Sequence, residues 1–271
     1  KGLFDKGYDV TVSGFEKHNF EELKLKQGET FDIVRSADII ILPLAFSLDD
    51  VNINAPFSDK DIEIKALMKN ISNTSLVLAG KVSNKLKKLA DERNIKLIDY
   101  LEREEMAILN AVPTAEGAIE LAMSEMPITL WGSKVLICGF GRIGKVLAKD
   151  LAALGAEVTV ACRSHSDFAW IKVFGYKTAR YRDLVNTAGE FDLIINTVPH
   201  LVIDEKILEA VKEGVLIIDL ASKPGGIDFA AAGRLRRKVI WALSLPGKVA
   251  PITAGRIIEK TILNIVEEEG F

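Results

Sequence analysis

Three glycines at a fixed spacing carry the first chemical signal in this chain: Gly139-Phe140-Gly141-Arg142-Ile143-Gly144. The apolar run Val135-Leu136-Ile137-Cys138 leads into them, and a helical pattern through Val146, Leu147 and Leu151 follows. A G-x-G-x-x-G set between a strand and a helix is the fingerprint of dinucleotide binding. Gly139 permits a tight turn, Gly141 lets the backbone approach a pyrophosphate, and Gly144 lets the helix pack closely on the strand. The unpaired amides and positive dipole end of the new helix face the phosphates, which brings Arg142 and Ile143 into the cofactor-binding set.

The end of the next strand bears on which dinucleotide is held. An NAD-selecting domain usually carries Asp or Glu about 20 residues beyond the glycines, accepting bonds from the ribose hydroxyls. Here Cys162-Arg163-Ser164-His165-Ser166 supplies no acid. Arg163 offers a planar, permanently charged fork suited to a 2′-phosphate, and Ser164 and Ser166 add hydroxyl donors. These residues point to NADP over NAD. The plainer alternative is a surface arginine that only stacks on adenine.

Two more loops follow buried strands, at the strand ends where open α/β sheets bind ligands. In the first, Asn196, Thr197, Val198 and Pro199 are expected to line the cofactor, and His200 is the acid/base candidate, against the commoner case of a solvated histidine. In the second, Leu220 and Ala221 would lie on the cofactor, Ser222 near the reacting ring, and Lys223 against a substrate carboxylate or in catalysis. A Pro-Gly-Gly turn with a surface lysine is an equal reading of that loop. Lys248, in the Pro- and Gly-rich loop expected from Leu245 to Gly255 at the entry to the last helix, and Asn110, Thr114 and Glu116 complete the substrate candidates. Polar loops are more often merely solvated. The first-domain segments that could face a cleft, Pro43 to Ser58 and Asn110 to Glu116, supply no cation to clamp a dicarboxylate, so that duty falls to helix N-termini, to Lys223 or Lys248, or to another protomer. No metal site is expected.

The elements that must position these residues alternate strand and helix, the pattern of parallel sheets. Ahead of the glycines, strands are expected at Tyr8 to Val12, Ala37 to Leu42, Ser75 to Ala79 and Ile95 to Ile98. Pro43 closes the second, a loop runs from Leu44 to Ser58, and Asp59 caps a helix to Lys69. Lys1 to Asp9 reads as a helix end and turn, as though a first βα unit preceded it. Glu102 to Leu109 and Ala115 to Glu125 read as two helices broken at Pro113, with Thr114 capping the second. After the glycines, strands are expected at Ala156 to Cys162, Phe191 to Asn196, Val215 to Leu220 and Val239 to Leu243, and a long amphipathic helix at Ala254 to Glu268. The expected fold class is α/β: two Rossmann-like domains with parallel sheets joined by helices, the C-terminal one binding the dinucleotide. The domains are 1–114, with 254–271 packing back on it, and 115–253.

At 271 residues, 48% hydrophobic and 27% charged, the composition is that of a soluble globular protein. A net charge of −3 gives no reason to expect nucleic acid or an anionic membrane as partner. The two cysteines sit at the ends of apolar strand patterns, outside any C-x-x-C or Cys/His cluster, which reads as a reducing, cytoplasmic compartment.

The run ITLWGSKVLICGFGRIGKVLAKDLAALGAEVTVACRS, followed by INTVPH, IDLASKPGGIDF and LPGKVAPITAGRII, resembles the dipicolinate synthase A-subunit family. ADIIILPLAFS, NAPFS and NAVPTAEGAIELAM fit the same family, so the resemblance spans essentially the whole chain. It departs at Leu44-Ala45-Phe46-Ser47, where a second proline is expected after Pro43-Leu44. The resemblance implies a sporulation enzyme of the mother-cell cytoplasm in endospore formers. With the flavoprotein-like B-subunit of dipicolinate synthase it oxidises 2,3-dihydrodipicolinate to pyridine-2,6-dicarboxylate using NADP⁺, and it is expected to form a homo-oligomer. Aromatisation supplies much of the driving force, which fits the lack of a strong acid/base pair. Two other readings remain open on the residues alone. One is a two-domain dehydrogenase of the 2-hydroxy-acid type, which would want an arginine and a Glu–His pair that are not evident. The other is a non-catalytic NADP-binding protein that regulates a partner.

Overall fold

The computed structural model describes residues 2–17 and 25–271; Lys1, part of the expected opening turn, lies outside the described residues. The chain divides into unit 1, Lys1–Ala107 with Gly255–Phe271, and unit 2, Ile108–Ala254. No helix among the described residues is long and apolar enough to cross a membrane.

Unit 1 opens with a short helix, α1 (Gly2–Asp5), and a parallel pair, β1 (Thr11–Val12) with β2 (Lys26–Gln27). After α2 (Thr30–Ser36) comes a second parallel sheet of β3 (Ile39–Leu44), β4 (Leu76–Gly80) and β5 (Lys96–Asp99), in that spatial order, with α3 (Ile64–Asn70) and α4 (Asn84–Asp91) as its crossovers. β4 is central and buried at every residue, as a continuous Leu-Val-Leu-Ala run requires. The Ser83 hydroxyl caps α4 by accepting from Leu86 N, and the Asp99 carboxylate accepts from Lys81 N and Val82 N, tying the loop after β4 to the end of β5. The expected helix from Asp59 starts five residues later. Its first stretch pairs instead with Val51–Ile53, through an antiparallel bridge Asn52–Glu63 and the bonds Ile53 N to Ile62 O and Ile64 N to Val51 O. Those bonds claim the backbone that a first turn would need. Pro43 falls inside β3, where the pairing with β4 slips between Ile41 and Leu44.

Chain entry to unit 2 overturns the expected break at Pro113. A single helix, α5, runs Glu104–Glu125 with the proline inside it. Proline removes one ladder bond, at a typical cost of about 3 kcal/mol. Burial opposes that cost: Ala111, Ala115, Ala118 and Ala122, spaced three and four residues apart on one face, are all buried. The Thr114 hydroxyl, expected as a cap, instead donates to Asn110 O at 2.7 Å inside the helix.

Unit 2 then builds β6 (Lys134–Cys138), α6 (Arg142–Ala153), β7 (Glu157–Cys162), α7 (His165–Val173), β8 (Lys177–Arg180), α8 (Leu184–Thr187), β9 (Leu193–Asn196), α9 (Glu205–Ala210), β10 (Leu216–Asp219), α10 (Phe229–Arg234), β11 (Lys238–Trp241) and α11 (Leu245–Val249). The six strands are parallel in the order β8-β7-β6-β9-β10-β11, the doubly wound arrangement whose order reverses between β6 and β9. Alternation in β6 divides the core: Val135 and Ile137 pack with α5, α6 and α11, while Leu136 and Cys138 pack with α8, α9 and α10. Each fully buried Leu or Ile there contributes about 1.5–3 kcal/mol. β8 and α10 carry weak sequence signals. The first is a polar edge strand, Lys-Thr-Ala-Arg, and the second is alanine-rich with no stripe of large apolar residues.

The run from Leu245 to Gly255 is also not a loop. It forms α11 and the start of α12 (Pro251–Glu268), each with a proline in its first turn. There the missing N–H costs nothing, so proline starts a helix rather than breaking it. Within unit 1, α12 is fixed by Arg103, whose guanidinium donates to both carboxylate oxygens of Glu268 at 2.7 Å, and by Thr261, packed on Met106.

Candidate functional site

The glycine turn has the geometry its spacing predicts. Gly139 sits at φ 101, and its amide donates to Ala161 O at 2.9 Å. A Cβ there would lie 2.4 Å from Thr197 Oγ1 and 2.9 Å from Val198 Cγ2, so only glycine fits. At Gly144 a Cβ would lie 2.2 Å from the Gly139 carbonyl oxygen, which is the close approach of helix to turn. Gly141 differs. It is the N-cap of α6, no side chain caps the helix, and a Cβ there meets nothing within 4 Å. Beside the first amides of a 12-residue helix, then, there is open space at the reversal point of the sheet. A dinucleotide pyrophosphate fits that cradle. Arg142 is exposed at its rim, while Ile143 is half-buried and packs on the core.

At the end of β7, Arg163 is exposed and lies near Tyr181, whose hydroxyl pKa burial raises well above the usual range while the arginine charge opposes that shift. Ser164 caps α7, accepting from Ser166 N at 3.2 Å and Asp167 N at 3.4 Å, and it pairs with the Ser166 hydroxyl. No acid stands at the strand end itself; Asp167 lies in the first turn of α7.

The loops after β9 and β10 come together. Asn196 is fully buried, while Thr197 and Val198 are half-buried, and Pro199 and His200 are exposed. Thr197 donates to Cys138 O through both its amide and its hydroxyl, each at 2.9 Å, so this loop closes over the glycine turn. Leu220 and Ala221 are buried, and Ser222 and Lys223 exposed. Asn196 reaches the second loop through Asp219, a fully buried carboxylate. Sequence reasoning missed Asp219. Its signal was an acid at the end of an otherwise apolar strand, a position that demands buried partners.

The substrate candidates are dispersed. Asn110 and Thr114 lie inside α5, and the Asn110 side-chain oxygen is buried without a hydrogen-bond partner. Gly117, one turn on, faces Leu245 and Val249 of α11, the helix on which Lys248 is exposed. Glu116 lies elsewhere, in a groove with Asp150 and Leu154 at the C-terminal end of α6. That is about 12 Å along the helix from its first residue, given the rise of about 1.5 Å per residue.

Both thiols lie in the core. Burial, with Asp219 nearby, pushes Cys138 up to about 12, and burial with Asp167 pushes Cys162 up to about 11. Neither is expected to react with an aromatic disulfide reagent in native buffer, and both are expected to react once the chain unfolds in denaturant. Fast native labelling of either would place that thiol outside the core.

Comparison with known proteins agrees with this geometry. Residues 1–101 match the family described as the N-terminal domain of the dipicolinate synthase A-subunit. Residues 110–225 match the D-isomer specific 2-hydroxyacid dehydrogenase, NAD binding domain. The dipicolinate synthase A-subunit of Bacillus subtilis is 34% identical over 272 residues, covering 97% of this chain and 89% of that protein. The crystal structure of the same Bacillus subtilis protein superposes with a TM-score of 0.92 at 30% identity, covering 98% of this chain and 90% of the other. That of the A-subunit from Bacillus halodurans gives 0.90 at 30% identity, covering 97% and 91%.

Proposed function

This chain belongs to the dipicolinate synthase A-subunit family, and we propose that it oxidises 2,3-dihydrodipicolinate to dipicolinate with NADP⁺, acting with a second, partner protein. That it is an oxidoreductase with a nicotinamide-dinucleotide domain follows from the family; the substrate and the 2′-phosphate are the further steps. The observation that carries the reading is the glycine cradle at the reversal point of the sheet, with Arg163 and no acid at the end of β7.

When bound, NADP⁺ supplies the hydride acceptor. The chain's own residues do the rest. The amides at the start of α6 hold the pyrophosphate, and Gly141 leaves the backbone bare for it. Arg163 reads the 2′-phosphate from the end of β7. Lys223, exposed on the loop after β10, supplies a cation for a substrate carboxylate, and His200, exposed on the loop after β9, accepts the ring proton. Imidazole is the side chain best suited to taking up a proton near neutrality. The driving force of aromatisation keeps the demand on it small.

The test is an assay of the purified chain, alone and with its partner, on freshly made dihydrodipicolinate and NADP⁺, following NADPH absorbance. NADPH formed by the chain alone, and faster once the partner is added, is the expected result. Formation only in the presence of the partner would favour a binding or regulatory role for this chain. No formation in either mixture, with turnover of 2-hydroxy acids instead, would replace the proposed substrate.

A further inference from the structure

A fully buried carboxylate sits beneath the second half of this site, and no step above uses it. Asp219 ends β10 at 0% exposure. Its Oδ1 accepts from Asn196 Nδ2 at 2.8 Å and from Ala221 N at 3.0 Å, and its Oδ2 accepts from Gly226 N at 2.9 Å. All three donors are neutral. A buried charge held only by neutral donors is costly, and it is tolerated only if the donors are held in place around it. The contacts it organises are therefore rigid ones.

They join three segments. Asn196 folds its own loop, donating to Val198 O at 2.9 Å and accepting from Val198 N at 3.1 Å, and Val198 leans on Gly139. Gly226 returns to the same loop: its carbonyl accepts from Val202 N at 2.9 Å and Ile203 N at 3.0 Å. A Cβ at Gly226 would lie 2.3 Å from Asn196 Nδ2, and one at Gly225 would lie 2.8 Å from Asp219 Oδ2. The second loop is pinned again where Trp241 Nε1 donates to Ala221 O at 2.9 Å. One carboxylate thus fixes the loop bearing His200 against the loop bearing Lys223.

We propose that Asp219 is a positioning residue for the nicotinamide half of the cofactor, acting through Asn196 and the amides of Ala221 and Gly226. The inference rests on the dinucleotide reading of unit 2. In a doubly wound sheet each half holds one mononucleotide across the reversal point. The glycine turn and Arg163 belong to the half built on β6 and β7, and the Asp219 knot to the half built on β9 and β10. Loosening the knot disturbs the nicotinamide half and leaves the adenosine half as it was.

The test compares dissociation constants for NADP⁺, NAD⁺ and adenosine 2′,5′-bisphosphate, a probe that fills only the adenosine half, in the unsubstituted protein and in Asp219→Asn. The variant keeps the shape but turns an NH₂ group toward one of the donors. NADP⁺ is expected to weaken by about tenfold or more, the usual scale for losing a hydrogen bond to a charged group, with the bisphosphate within about twofold. Equal weakening of both probes, or no change in either, would overturn the proposal. Should Asp219→Asn not fold, Asn196→Asp serves. It sets two carboxylates face to face, so one must bind a proton before the bond can re-form, and like charge raises the pKa at which it does so. Its NADP⁺ affinity relative to the unsubstituted protein is expected to recover as pH falls; a flat or falling ratio would overturn the proposal. An unsubstituted protein that binds neither dinucleotide would instead overturn the reading of the site itself.

Discussion

Gly141→Ala is expected to leave thermal unfolding nearly unchanged while dinucleotide affinity collapses. The backbone at this N-cap has φ −77 and ψ −160, which any residue adopts, and an added Cβ meets no protein atom within 4 Å. Alanine in place of glycine at an N-cap costs only about 1 kcal/mol or less. The methyl group instead occupies the space through which a pyrophosphate reaches the helix amides. Overpacking of that kind costs about 1–3 kcal/mol, or about 5- to 150-fold in affinity. Calorimetric binding and a melting curve on the same sample check both halves. Gly144→Ala is the contrast: its Cβ would stand 2.2 Å from the Gly139 carbonyl oxygen, so stability and binding should fall together. Unchanged binding in Gly141→Ala would mean that no phosphate lies at this turn.

Arg163→Ala is expected to weaken NADP⁺ by about 1–3 kcal/mol, the range for a hydrogen bond to a charged group, and to leave NAD⁺ nearly unaffected. Arg163 is exposed at the end of β7, where an NAD-selecting domain would place an acid, and no carboxylate stands there to repel a 2′-phosphate. Because an exposed ion pair is screened by salt, the preference for NADP⁺ should narrow as ionic strength rises. Equal loss of both dinucleotides would show that the guanidinium stacks on adenine instead. Isothermal titration at two salt concentrations separates the outcomes.

Much of the fold was legible because its signals are local. The runs Leu76–Ala79, Val135–Cys138 and Leu193–Ile195 are apolar at every residue, as strands covered on both faces must be. Proline was less legible: a break is expected at Pro113, which lies within a helix, and Pro246 and Pro251, in an expected helix-entry loop, lie in the first turns of helices. Whether a proline interrupts a helix depends on the burial of its neighbours and on its position in the turn, and neither is written in the proline itself.

The site divides in the same way. The sequence by itself placed the glycine turn, Arg163 and the two loops after β9 and β10 at the ends of apolar strands, because those placements follow from spacing along a few residues. Only the tertiary structure decided that those loops are one assembly. The carboxylate of Asp219 finds its donors 2, 7 and 23 residues away, on a neighbouring strand and across a turn. A buried charge is defined by what surrounds it, and its surroundings exist only once the parallel strands have been laid side by side.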